Sequence, residues 1–368
     1  EDVRTILIPR VKARLERAGD KLAGLAGVSL GTVSRVMNNA INVDPELRER
    51  TLSVMREFHY VPLRRPRKNS RRNLAEGGRV AILFFDMQFH WEDSFPARSC
   101  AEGISEICRI YGVRPDFFTL LDCSDEKLFR HLSEFDGILV KHNFRHGDER
   151  LRRIGELAEK VPMVWFGVNG FNRRFPNVVL DNHAAGALAA EELIRRGHRV
   201  IAFISTDPDH GMFAQRAEGF REAMAARGLW RSALFFEEKF STVSSPNPDP
   251  IPPLLGRTLG RILAYPEKVT AAVVTNDWGC VGLYRACGER GLRIPEELSI
   301  IGFDNQIPVC CSLKPPLASI ENPLVDIGRT AMAELLQRID AKHRKLTLPP
   351  SVRLLSGTLI ERGSLRSL

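Results

Sequence analysis

From residue 79 onward the chain alternates unbroken apolar runs with longer stretches whose apolar residues recur at helical spacing. The runs are Val80–Phe85, Gly137–Val140, Pro162–Phe166, Val178–Leu180, Val200–Ile204, Ala271–Thr275 and Leu298–Phe303. A strand buried on both faces has no polar side to show, so it reads as a continuous apolar run rather than an alternating one. Between the runs, Ala184–Arg196, Ala214–Arg227 and Gly279–Arg290 carry the helical period. Strand–helix alternation of this kind predicts an α/β architecture built on parallel sheets. At about 290 residues the segment is longer than one typical domain.

The first 60 residues obey another rule. Leu22, Ala23 and Ala26 give a short apolar face, Gly27 permits a sharp turn, and Ser29 is placed to N-cap a second helix. Val33, Val36 and Met37 then fall on one helical face, leaving Leu30, Gly31, Ser34, Arg35 and Asn38 on the others. Asp44-Pro45-Glu46 opens a third helix, with a cap, a first-turn proline and an acid at the positive end of the helix dipole. Three short helices around a small core suit the docking of one helix in a DNA major groove. Periodicity alone leaves any small helical bundle open.

Charge separates the two segments. The chain of 368 residues has a formal net charge of +8, and residues 1–78 hold 16 Lys+Arg against 9 Asp+Glu. Nearly all the excess therefore sits in the first fifth, which points to an anionic partner for that part only. Arg64, Arg65, Arg67, Lys68, Arg71 and Arg72 crowd into a short stretch without an acid. Such a run is a solvated linker that can also track a phosphate backbone. The start of the sequence shows no apolar secretory core, and no run is long enough to span a bilayer. Seven cysteines without a C-x-x-C pair suggest reduced thiols and no zinc or redox motif. There is no P-loop or G-x-G-x-x-G, and no catalytic constellation emerges, so an enzyme and a bound cofactor are not expected.

Ala26-Gly27-Val28-Ser29-x-x-Thr32-Val33-Ser34-Arg35-Val36-x-Asn38, continued by Tyr60-Val61-Pro62, is a far more specific signal. It resembles the DNA-binding headpiece of the LacI/GalR family of bacterial transcription regulators. The resemblance extends along almost the whole chain. It runs through Asp181-Asn182-x-x-Ala185-Gly186, Arg216-x-x-Gly219-Phe220, Thr275-Asn276-Asp277, Pro295 to Asn305, Pro315 to Ile320, and Leu359-Ile360-x-Arg362-x-Ser364.

The resemblance implies an all-α helix-turn-helix headpiece, followed by an α/β periplasmic-binding-protein-like core of two Rossmann-like subdomains joined by three crossovers. The expected division is 1–61 for the headpiece, 62–78 for a basic hinge, and 79–368 for the effector-binding and dimerisation core. Within the core, an N-subdomain of about 79–180 plus 318–344 faces a C-subdomain of about 181–317 plus 345–362, with crossovers near Leu180, Ala318 and Lys345. The resemblance makes the second helix the recognition helix, with Leu30, Gly31 and Arg35 toward bases. Arg35 has the fork for a guanine edge, and Leu30 can touch a thymine methyl. Ser29, Thr32, Ser34 and Asn38 suit phosphates, which set register rather than sequence.

The hinge departs from the family pattern, with Pro66 and Asn69 where an alanine and a wedging leucine are usual. A proline costs a helix interior about 3 kcal/mol, so Arg64, Arg65, Arg67 and Lys68 are expected to track phosphates or enter a narrow minor groove. In the core, ligands of open α/β sheets lie beyond the carboxyl ends of the strands. Arg216, Asn276 and Asp304 offer a guanidinium, an amide and a carboxylate there, a set suited to vicinal hydroxyls. Asp86, Phe89 and Trp91 come after the first strand, and Phe240 offers a further aromatic face. A bland alternative has Asp304 capping a turn and Arg216 pairing with Glu218 or Asp277. His198 reads as a turn residue.

The function expected is a cytoplasmic, homodimeric, sequence-specific regulator, a repressor by family default. It binds a pseudo-palindromic operator under control of a small molecule, a sugar first. The alternatives are a purine or phosphorylated metabolite as effector, or a sugar-binding protein that does not bind DNA.

Overall fold

The computed structural model describes residues 23–37, 43–57, 78–85, 92, 94–120, 126–142, 149–167, 175–238 and 254–368. The chain forms two compact units, one of residues 1–78 with 106–114 and the other of the remainder.

In the first unit a helical turn at 23–26 buries Ala23 and Ala26. Gly27, at φ +62°, reverses the chain, and the Val28 amide returns to the Ala23 carbonyl at 3.0 Å. The left-handed conformation is one that glycine adopts without a Cβ penalty, and it closes the orphan carbonyls of the preceding turn. Helix α1 (Leu30–Met37) starts on the Ser29 hydroxyl, which accepts the Thr32 amide at 3.0 Å. Helix α2 (Pro45–Glu57) starts on Asp44, whose Oδ1 accepts the amides of Glu46 and Leu47. Arg50 of α2 donates to the Ala26 carbonyl at 2.8 Å, and Val33 and Val36 are buried on α1.

The second unit contains two six-stranded sheets. The first has the order β11-β5-β4-β3-β1-β2, from β1 (Arg79–Phe85), β2 (Arg114–Leu120), β3 (Gly137–His142), β4 (Met163–Gly167), β5 (Asn177–Leu180) and β11 (Val352–Leu355). The second has the order β12-β10-β9-β8-β6-β7, from β6 (Ile201–Ser205), β7 (Phe235–Glu237), β8 (Ala271–Val274), β9 (Ser299–Phe303), β10 (Ala318–Glu321) and β12 (Thr358–Ile360). The strands from β3 to β11 and β1 with β3 pair in parallel, as do β7, β6, β8, β9 and β10, whereas β12 runs antiparallel to β10. Helices α3 (Phe95–Tyr111), α4 (Glu126–Leu132) and α5 (Glu149–Ala158) connect strands of the first sheet. Helices α6 (Asn182–Arg195), α7 (Gly211–Ala226), α8 (Leu254–Leu263), α9 (Asp277–Glu289) and α10 (Ile307–Ser312) belong to the segment that builds the second. Helix α11 (Leu324–His343) packs on β3, β4 and β5. The core is apolar strand and helix surface: Ala81, Leu83, Ile138 and Val140 on one face of the first sheet, and Ile201, Phe203, Val273 and Ile301 on one face of the second.

Two expected crossovers lie elsewhere. The strand beginning at Ala318 stays in the second sheet, beside β9, so the chain passes to the first sheet only after Glu321. It returns after Leu355 rather than at Lys345, because β11 pairs with β5 and β12 with β10. The segment 318–321 thus belongs with the second sheet and 352–355 with the first. Both strands are four residues long, too short to announce their sheet by periodicity. What holds the second position is an ion cluster: buried Glu334 of α11 receives Arg353 of β11 at 2.7 Å and Arg338 at 2.9 Å.

Candidate functional site

Both sheets share one topological feature. In the first, β1 is flanked by β2 and β3; in the second, β6 is flanked by β7 and β8. At such a switch point the connections leave in opposite directions and open a crevice at the carboxyl ends of the strands.

The second sheet fills its strand ends with polar side chains. Thr206 comes directly after β6, Thr275 and Asn276 after β8, Asp304 after β9, and Asn322 after β10. Into their midst comes Arg216 from the second turn of α7, with none of its surface exposed. Its Nε donates to Asn182 Oδ1 at 3.1 Å, its Nη1 to the Thr275 carbonyl at 2.6 Å, and its Nη2 to Asp304 Oδ1 at 2.9 Å. A longer contact of 3.5 Å reaches Asn322 Oδ1, and the guanidinium lies 4.6 Å from the Phe303 ring centre. A buried guanidinium is tolerable only with its donors matched in this way. Its carboxylate partner is Asp304, whereas Glu218 pairs with Arg221.

Helix packing sets where Arg216 stands. A Cβ on Gly186 of α6 would overlap the Arg216 carbonyl, and one on Gly219 of α7 would overlap that of His183. These two motif glycines let the helix backbones touch, which places the guanidinium over the strand ends.

Asp304 is held with equal firmness. It lies at φ +98°, a conformation that L residues keep only when their surroundings impose it, and Asn305 follows at +47°, in the left-handed region that asparagine tolerates. The Asp304 amide donates to the Ile320 carbonyl, the Asn305 amide to Ser319 Oγ, and the Asn305 side chain bridges Glu321 and Arg362. Asp304 Oδ1 accepts from both Arg216 and Asn322, the latter at 2.8 Å. Its Oδ2 takes no partner among the described residues, and the side chain remains 16% exposed. A fixed carboxylate with one oxygen free is an acceptor for a ligand hydroxyl. Asn276 is partly committed, since its Oδ1 caps α9 by accepting the Gly279 amide at 2.8 Å.

Three neighbouring residues carry no motif in the sequence. Asn322 extends the network across the second crossover. His210 caps α7 with Nδ1 and lies within the fields of Asp207, Arg216, Lys141 and Asp304; burial, before any of those charges, lowers its pKa. Lys141 sits one residue from the end of β3 and is 5% exposed. The signal for each is position, just inside or beyond a strand end. Beneath the site, Asp277 is buried and accepts from Ser319 Oγ and the Gln306 amide, each at 2.7 Å. Burial, then the Asp304 charge, pushes its pKa up to about 7. His198 is a buried tie between Thr270 and the Arg366 carbonyl, away from this cluster.

On the headpiece, Leu30, Gly31 and Arg35 are exposed along α1, and Leu30 shows 49% of its surface. The Ser29 and Thr32 hydroxyls bond each other at 3.0 Å. Asn38, Arg64, Arg65, Arg67, Lys68, Asp86, Phe89, Trp91, Phe240 and the side chain of Ser34 lie outside the described residues. Among the described residues no cluster of three or more metal-ligating side chains occurs, and no helix is long and apolar enough to cross a membrane.

Residues 20–62 match the family of bacterial regulatory proteins of the lacI type, and residues 190–365 match the periplasmic binding protein-like domain. The ribose operon repressor of Haemophilus influenzae is 28% identical over 348 residues, 90% of this chain and 95% of its own length. The HTH-type transcriptional repressor CytR of Escherichia coli K12 is 28% identical over 354 residues, 93% of this chain and 94% of its own. A solved complex of the transcriptional regulator CelR with cellobiose superposes with a TM-score of 0.63 at 25% identity, over 93% of this chain and 98% of that one.

Proposed function

Since the chain belongs to the LacI/GalR family of bacterial transcription regulators, we propose that it is a homodimeric repressor of the cytoplasm whose operator affinity is set by a sugar-class effector held at the strand ends of its core. It is a DNA-binding regulator and not an enzyme, in line with relatives named as repressors. The observation that carries the effector reading is Asp304. Its carboxylate is fixed by Arg216 and Asn322 through one oxygen and offers the other. A hydroxylated ligand completes that geometry at little ordering cost, because the protein groups are already placed.

The headpiece reads sequence through α1. Leu30, Gly31 and Arg35 are free of the helical core, so they can meet base edges while Val33 and Val36 hold the fold. The domain division of 1–61, 62–78 and 79–368 goes with this reading, and Arg64, Arg65, Arg67 and Lys68 bind phosphates along the hinge. A dimer presents two headpieces to a two-fold symmetric operator. Effector binding changes operator affinity by a coupling free energy of about 1–3 kcal/mol.

Selection of bound duplexes from a random library tests the DNA-binding half. A two-fold symmetric consensus is expected, and Arg35→Ala should lose about 1–3 kcal/mol of discrimination at one base pair per half-site while keeping its helix content. A consensus that Arg35→Ala binds unchanged would remove α1 as the reading helix.

A further inference from the structure

The first sheet's switch point holds a feature that the sugar reading leaves unexplained. Lys141 stands in register with Phe84 of β1, on one of the strands that flank the crevice. Its aliphatic stem runs along Gly167 at the end of β4, within 3.5 to 3.9 Å of where a Cβ would lie. The side chain is 5% exposed. Among the described residues no carboxylate, carbonyl or hydroxyl lies within hydrogen-bond or ion-pair distance of its Nζ. The titratable groups that bear on it are the Cys100 thiol, which burial pushes up to about 12 and so keeps neutral, and His210 on the opposite strand-end cluster. Neither supplies a negative charge.

Burial lowers the Lys141 pKa, because keeping the ammonium charged without a counter-ion among the described residues is expensive, and an anion beside it would restore the charge. Two other buried charges of this core are matched by ions, Arg216 by Asp304 and Glu334 by Arg338 and Arg353, and buried Asp277, which has no cation, still accepts from the Ser319 hydroxyl and the Gln306 amide. The contrast points to a partner for Lys141 that a ligand brings. His210 adds to this. Its Nδ1 accepts the Met212 amide, so the ring proton of the neutral form sits on Nε2 as a donor. Lys141 lies by the end of β3 and His210 beyond the end of β6, and the two offer an amine and an N–H to a ligand anion.

We infer that the effector is an anionic sugar derivative, a sugar phosphate or a sugar acid, whose charged group is neutralised by Lys141 while its hydroxyls meet Asp304. This rests on the effector reading above and narrows its ligand class.

Thermal unfolding of the full chain tests it, with glucose, ribose and adenosine as neutral probes. Glucose 6-phosphate and ribose 5-phosphate serve as phosphates, and gluconate and glucuronate as carboxylates. At least one anionic probe is expected to raise the Tm while its neutral counterpart does not, and the two anionic groups tell phosphate from carboxylate. Lys141→Met should fold and should weaken binding of that probe by about 30-fold or more, the usual effect of removing one partner of a buried charge pair. Wild-type protein that responds to no anionic probe overturns the inference, as does an anion that binds Lys141→Met with unchanged affinity. A neutral sugar that raises the Tm, with the response lost in Asp304→Ala, overturns the anion and leaves the effector site standing. Loss of the anion response in Lys141→Met but not in Asp304→Ala supports the anion and overturns the role of Asp304.

Discussion

The strand ends of the two sheets handle charge in opposite ways. In the second sheet a buried cation is surrounded: Arg216 meets Asp304, Asn182, the Thr275 carbonyl and Asn322. In the first sheet a buried lysine, Lys141, has no polar partner among the described residues, with Phe84 beside it and Gly167 along its stem. The same topology thus provides a rigid polar frame on one side and a buried lysine on the other. On the proposed function, the frame receives a ligand's hydroxyls. On the inference drawn above, Lys141 selects which ligand binds, because an anion offsets the cost of charging it in a buried site. Motif residues build most of the frame, Asn322 being the exception, whereas Lys141 stands outside every motif.

Substitutions that break the frame have the largest effects. Arg216→Met leaves Asp304 without its cation and strands the Thr275 carbonyl, a change expected to cost about 3–5 kcal/mol. Urea unfolding of the variant measures it. A loss under about 1 kcal/mol, the worth of an exposed pair, would mean that the pair does not organise the strand ends.

Gly186→Ala attacks the frame from behind. The added methyl meets the Arg216 carbonyl, so α6 and α7 must move apart. Overpacking of this kind costs about 1–3 kcal/mol, and it displaces the guanidinium. Lower stability by urea unfolding is expected together with a weakened effector response by thermal shift. Unchanged response would show that the position of Arg216 tolerates a helix shift.

A third test sharpens the comparison through pH. Asp277, under the frame, has its pKa raised to about 7 by burial and then by the Asp304 charge. Its unfolded value is near about 3.9, so the folded protein binds more protons between the two. The stability contributed by this group is therefore full below about pH 4 and lost as pH rises through about 7. Asp277→Asn should flatten that slope, read as urea midpoints at about pH 5 and about pH 8, on either side of the shifted value. An equal slope in both proteins would place the titration elsewhere.

Much of this architecture is legible in the sequence, and particular residues show where legibility stops. The long apolar runs announce their strands because both faces of each are covered. Strands β10, β11 and β12, of four residues or fewer, carry no period, so the sequence places the crossovers at Ala318 and Lys345 instead of after Glu321 and Leu355. Arg216 and Asp304 are marked by motifs and by strand-end placement. Their mutual bond is not, because it joins residues 88 positions apart through a helix packing that only Gly186 and Gly219 permit. Asn322 stays hidden because it lies just beyond a misplaced crossover. Lys141 stays hidden because a charged residue closing an apolar run reads as the strand's exit into solvent, and burial is a tertiary fact.

The most direct test is a titration of the selected operator by wild type and by Lys141→Met, each with and without the anion that stabilises the wild type. Equal operator Kd is expected for both proteins without the anion. With it, the wild type alone should shift, by about 5-fold to 150-fold. A comparable shift in both proteins, or none in the wild type, would contradict the claim that a buried lysine couples the ligand to DNA binding.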